Sequence, residues 1–258
     1  MREANMAMDD AADPRLPLLP GARVARDPAR AIKRGPSRIP PDVVAANQRE
    51  RLFDGLVQMV ALKGYPNARV GDICQAAGVT RPAFYAHFEG KEDAFLATYR
   101  HGTGVMLGLM AAAFHGAGDW RTGVRNGLDV LLTVLASVPT FASMAIVEID
   151  GVGTAARRER DRMLSRFREF FVSAPRRDQL PDELVESVIG GIYVSIYRQV
   201  AAGRTESLRD LLPTLTYFAL VPFLGHEESA SELLPSPESP ATSLPCGATV
   251  PMPSVGSA

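Results

Sequence analysis

The chain has 258 residues, with Lys+Arg 28 against Asp+Glu 29 and a formal net charge of -1. That balance gives no overall attraction to nucleic acid, so a DNA- or RNA-binding role would have to rest on where the basic residues lie. The length leaves room for one small and one medium domain with a core that folds without staples. The two cysteines, Cys74 and Cys246, do not make a disulfide framework and suit a reducing cytoplasm.

Residues 1–41 hold Pro14, Pro17, Pro20, Pro28, Pro36, Pro40 and Pro41 and show no sustained apolar period, which reads as a flexible arm. The opening residues also lack the continuous apolar stretch of a secretory signal. Basic residues are concentrated here: Arg23, Arg26, Arg30, Lys33, Arg34 and Arg38, with Asp27 the only acid among them. Two readings stand side by side. The arm is a solvated tail, or it reaches DNA phosphates or a minor groove, with Lys33 and Arg34 best placed to do so.

Residues 42–93 carry the densest pattern. Asp72 to Ala77 is too short to hold as a lone helix and presents Ile73 and Ala77 inward, so it must pack on a neighbour. Gly78 supplies the left-handed backbone that ends a helix, and Val79 plugs the angle that follows. Thr80 caps the next helix, and Pro82 sits in its first turn, where the missing N–H does no harm. The spacing predicts a helix-turn-helix whose second helix enters a major groove. Base-edge and phosphate contacts then fall to Arg69, Thr80, Arg81, Pro82, Ala83, Tyr85 and His87, while Phe84 and Phe88 anchor the short helix. Lys91 opens a long helix, a cation among free N–H groups and a candidate phosphate contact.

The stretch from Gln48 to Tyr99, with VGDICQAAGVT followed by FYAHFEGKEDAF, resembles the DNA-binding domain of the tetracycline-repressor (TetR) family. The resemblance implies a repressor that binds a near-palindromic double-stranded operator as a homodimer and is released by a small-molecule effector. The chain departs from the family pattern at Ala68, Pro82 and Ala83, so no operator sequence is carried over.

Everything after Lys91 reads as helix, giving an all-α chain of about nine helices. A three-helix reader leads into a helical regulatory and dimerisation domain over residues 94–225. Leu128 to Val147 is long and apolar enough to span a bilayer, but Pro139 divides it, and two buried helices with no membrane partner are expected. Residues 226–258, dominated by Ser, Pro and Glu, read as a disordered tail.

The resemblance implies a ligand cavity, for which Met106, Met110, Phe114, Trp120, Phe141, Met144, Glu148, Phe167 and Tyr193 are candidates; ordinary core packing is the alternative for each. The surplus of apolar positions on the last two helices suggests an intermolecular bundle through Val185, Ile189, Ile192, Ile196, Leu211, Leu215 and Phe218, the alternative being a crossing within one subunit. The four histidines show no metal-ligand spacing, and no Walker loop, glycine fingerprint or nucleophile signature is present. No cofactor or metal is expected, and an enzyme, or an interaction module without operator binding, is the rival reading.

Overall fold

Pro41, whose fixed φ suits a first helical turn, opens α1 (Pro41–Lys63) in a computed structural model that describes residues 19–23, 25 and 40–233. All regular structure among these residues is helical. Along α1 the residues Leu52, Leu56, Val57 and Val60 are buried against α2 (Val70–Ala77) and α3 (Arg81–His87). The two axes come close because Gly55 has no side chain: a Cβ there would lie 3.0 Å from the backbone of both Ile73 and Ala77.

From this unit α4 (Lys91–His115) runs into the second domain, where it packs against α5 (Trp120–Ser137). Asp119 caps α5, accepting the Thr122 N–H at 2.9 Å. The chain continues as α6 (Pro139–Ala142), a π-helical turn Ser143–Glu148 and α7 (Ile149–Val152). Next come α8 (Thr154–Arg166), 3-10 turns at Phe167–Phe171 and Arg177–Gln179, α9 (Asp182–Ala201), a further 3-10 turn Thr205–Leu211, and α10 (Leu212–Leu224).

At Pro139 the chain bends by 103°, and no single helix among the described residues is long and apolar enough to cross a membrane. The apolar run expected to fold inward does so: Leu128, Leu132, Leu135, Phe141 and Met144 are buried. Its membrane-like hydropathy is that of a core element.

Three expectations are corrected. The N-terminal arm is not free at residues 19–23 and 25. Leu19, Pro20 and Ala25 are buried, the Gly21 N–H donates to Asp54 Oδ1 at 2.9 Å, and Arg23 pairs with Glu50 at 3.2 Å. A Cβ on Gly21 (φ +85) would come within 2.5 Å of Val57 and 3.0 Å of the Thr140 hydroxyl, so this strap lies where α1 meets α6. Lys33 and Arg34 fall outside the described residues, as does the chain beyond Leu233.

The stretch given to the tail begins as structure, with α11 (His226–Ser229) followed by a 3-10 turn Ala230–Leu233. Glu232, 9% exposed, ties it to α5 by accepting from Arg121 and Arg125, each at 2.8 Å. A carboxylate held between two arginines keeps this end docked, which the local composition did not signal.

The proposed dimer residues are largely used inside one chain. Val185, Ile189, Ile192, Ile196 and Leu215 are buried without a partner and Leu211 is half-buried; Phe218 alone of the set is exposed. Phe218 also lies across Gly191, where a Cβ would meet its ring at 2.7 Å, so α9 and α10 cross closely within the subunit.

Candidate nucleic-acid interface and ligand cavity

The turn between α2 and α3 forms as its residues dictate. Gly78 adopts φ 61, ψ 36, the left-handed region, and the Val79 N–H closes on the Cys74 carbonyl at 3.0 Å. Thr80 Oγ1 accepts the Ala83 N–H at 3.4 Å, and Pro82 takes the first turn of α3. Phe84 and Phe88 are buried, with ring centroids 5.5 Å apart, and pin the short helix to the core.

The opposite face is open. Arg69, Thr80, Arg81, Pro82 and Tyr85 are exposed and Ala83 is half-buried, so α3 presents its N-terminal edge outward. The Arg81 guanidinium lies back over Gly71, where a Cβ would meet Nη2 at 2.7 Å. At the start of α2 the Arg69 N–H donates to Asp72, and this bond with the Lys63 ammonium 3.0 Å away holds the carboxyl below its ordinary range.

Two expected phosphate contacts have internal partners. His87 is half-buried with Nε2 3.4 Å from Gln48 Oε1, and burial, reinforced by Arg49, lowers its pKa. Lys91 directs Nζ to the Tyr65 carbonyl at 2.7 Å and the Pro66 carbonyl at 3.4 Å, 4.1 Å from the Tyr65 ring centroid. Burial pushes that ammonium down from its usual range. The side chain therefore points into the protein, and the helix start keeps only its backbone N–H groups for an anion.

In the second domain a cavity of about 60 Å³ lies between α4, α5, the π turn, α8 and α9. Met106, Met110, Phe114, Phe167 and Tyr193 of the expected set line it. Trp120 does not: its Nε1–H donates to the Phe170 carbonyl at 2.8 Å, bracing the 3-10 turn that forms one wall. Phe141 and Met144 are fully buried elsewhere, Phe141 filling the space left by Gly102. Glu148 faces away, accepting the Tyr65 N–H at 2.7 Å. Ile189, Ile192 and Ile196, assigned from sequence to a dimer face, form a wall of the cavity. Tyr193 offers a phenol, but it donates to the Ile146 carbonyl at 3.1 Å, and burial pushes its pKa up to about 12.

The sequence reading missed Tyr65, which joins α4 to the π turn; the Gly64-Tyr65-Pro66 turn was its one available signal. It also missed Ile146, on a turn whose widened geometry no local pattern announces.

A glycine-turned helix pair with an exposed N-terminal edge, continuing through a long helix into a second helical domain, defines a helix-turn-helix protein with an appended regulatory-type domain. The model of bacterial regulatory proteins of the tetR family matches residues 52–98. The chain is 38% identical over 60 residues to the uncharacterized HTH-type transcriptional regulator TtgW of Pseudomonas putida, covering 22% of this chain and 45% of that one. It is 37% identical over 51 residues to the HTH-type transcriptional regulator AcrR of Shigella flexneri, covering 20% and 24% respectively. The chain thus matches less than half the length of these relatives.

Over a longer span the fold is similar to the fatty acid degradation regulator FadR of Bacillus halodurans, with TM-score 0.61, 19% identity and coverage of 71% of this chain and 97% of that one. FadR of Bacillus subtilis, solved in complex with stearoyl-CoA, gives TM-score 0.58 at 17% identity, covering 68% and 97%. Residues 52–98 thus match the tetR family of bacterial regulatory proteins, and the likeness to the two FadR structures is one of fold.

Proposed function

We propose that this chain is a transcriptional repressor that reads a near-palindromic operator as a homodimer and lets go when an apolar small molecule fills its cavity. The observation that carries the reading is the exposed edge formed by Arg69, Thr80, Arg81 and Tyr85 on a rigid, glycine-turned helix pair. With Pro82 and Ala83 offering little hydrogen bonding, base discrimination falls mainly to Arg81 and Thr80 and to the spacing of two half-sites. An operator reader works in the cytoplasm.

Dimerisation is supported by a small apolar patch: Val194 is 46% and Phe218 39% exposed, and Phe218 lies on Gly191, one helical turn before Val194. A second copy related by a dyad would cover both.

The effector reading rests on the cavity walls, which are hydrocarbon apart from Tyr193. They suit a molecule with a long aliphatic tail, a class to which the stearoyl-CoA of the Bacillus subtilis neighbour belongs. At about 60 Å³ the space holds roughly two waters' share of volume, so such a tail has to part the helices to enter. That displacement supplies the differential affinity a switch requires.

Selection of bound duplexes from a random pool, followed by titration with stearoyl-CoA, tests the reading. A recovered palindrome bound with steep salt dependence and released by the acyl ligand is expected. Recovery of no consensus sequence would remove the operator function, and a bound palindrome indifferent to stearoyl-CoA would remove the acyl-type effector.

A further inference from the structure

Glu148 and Ile146 share the π turn between α6 and α7, and the two residues look in different directions. Ile146 lines the cavity, and its carbonyl accepts from the phenol of Tyr193, another lining residue. Glu148 reaches out of the domain and accepts the Tyr65 N–H at 2.7 Å. The Tyr65 carbonyl in turn accepts the Lys91 ammonium at 2.7 Å, and its ring meets Phe95 of α4 edge-on at 5.2 Å. One residue thus receives the regulatory domain on its amide and the first residue of α4 on its carbonyl.

The π turn is the movable part. It carries about one residue more than an α-helical turn, so a shift back to α-helical bonding changes the direction of its side chains. A ligand tail displacing Ile146 would turn the same segment and draw the Glu148 carboxylate away from Tyr65. A bond from a backbone N–H to an ionised carboxylate is among the stronger links available, so its loss is felt. Gly64, at φ 74, supplies the positive-φ backbone that turns the chain from α1 into Tyr65.

We propose that Glu148 is a positioning residue: through Tyr65 and Lys91 it holds the DNA-reading unit in its binding pose and transmits the filling of the cavity. This deepens the effector-controlled reading above and rests on it. Glu148 touches neither ligand nor DNA.

The test needs no natural effector. Gly127 lines the cavity, and an added Cβ would have only the Met110 carbonyl near it, at 3.9 Å, so Gly127→Leu places a short alkyl branch inside. Binding to the selected duplex is measured for the full chain with Gly127→Leu alone and combined with Glu148→Ala or Glu148→Gln, the latter keeping a carbonyl acceptor. Hydrogen exchange of the Tyr65 amide is followed in parallel, with and without Gly127→Leu, so that one readout needs no Glu148 variant.

The expected result is about a tenfold loss of affinity from Gly127→Leu in the native background. The loss shrinks below about twofold with Glu148→Ala and is restored with Glu148→Gln. Tyr65 exchange accelerates on Gly127→Leu. An equal loss in all backgrounds, with Tyr65 protection unchanged, overturns the role of Glu148 and leaves cavity control standing. No loss in the native background overturns cavity control and the relay with it.

Discussion

Lys91→Met separates two roles that the sequence alone merges, a grip on a DNA phosphate and a strut inside the protein. Methionine keeps much of the stem's length and apolar packing and removes the ammonium. The structure assigns that ammonium a 2.7 Å bond to the Tyr65 carbonyl and a position 4.1 Å from the Tyr65 ring centroid. A hydrogen bond from a charged donor contributes roughly 1.5 to 3 kcal/mol, and partial exposure favours the low end. The ring contact adds about 0.5 to 1 kcal/mol, and relief from desolvating the charge offsets some of the sum. The net destabilisation comes to about 2 kcal/mol, which in a chain of this size lowers Tm by roughly 4 to 8 °C. Thermal melting followed by circular dichroism measures this, alongside DNA titrations at several salt concentrations. The reasoning fails if melting is unchanged while the slope of log affinity against log salt falls by about one, because that is the signature of a lost phosphate contact.

Gly78→Ala forces a Cβ into the left-handed turn and should cost about 1 to 2 kcal/mol in chemical denaturation, with DNA binding weakened in proportion to the loss of folded reader. Val194→Glu with Phe218→Glu should shift the chain to monomer in analytical ultracentrifugation while leaving its helicity unchanged; a persistent dimer would move the interface elsewhere. His101 is exposed at the surface but stacks on Phe53, with ring centroids 5.1 Å apart, and the desolvation of that contact lowers its pKa. Below pH about 6.5 the unfolded chain takes up a proton that the folded imidazole refuses. Stability should therefore fall on acidification through that value, and His101→Gln should flatten the melting-against-pH curve there.

What the sequence made legible is what local chemistry decides. Gly78, Val79, Thr80 and Pro82 form a turn whose backbone needs are met within a few residues. Met106, Met110 and Phe114 follow α-helical spacing along α4, so their shared face could be counted out. The count breaks at Ser143–Glu148, where the π turn adds a residue and resets the phase; Met144 and Glu148 consequently point where an unbroken helix would not send them. Arg121 and Arg125 meet Glu232 from the far end of the chain, a pairing without any local trace. The apolar surplus on α9 was real, but it serves the interior, since a helix flanking a cavity has to be apolar over a wide arc.

The strap of residues 19–23 imposes an order on the making of the protein. It is synthesised before α1, to which Gly21 and Arg23 tie it through Asp54 and Glu50, and Gly21 also lies beside Thr140 of α6. The reader domain can fold as soon as α1 to α3 have left the ribosome, at a synthesis rate of roughly 5 to 20 residues per second. The strap can tie to α1 once that helix has formed, but its seat is complete only when the bend at Pro139 brings Thr140 beside Gly21. Its closure is a late event that reports the two domains joined, so a nascent reader competent to fold is not yet a chain held in its finished pose.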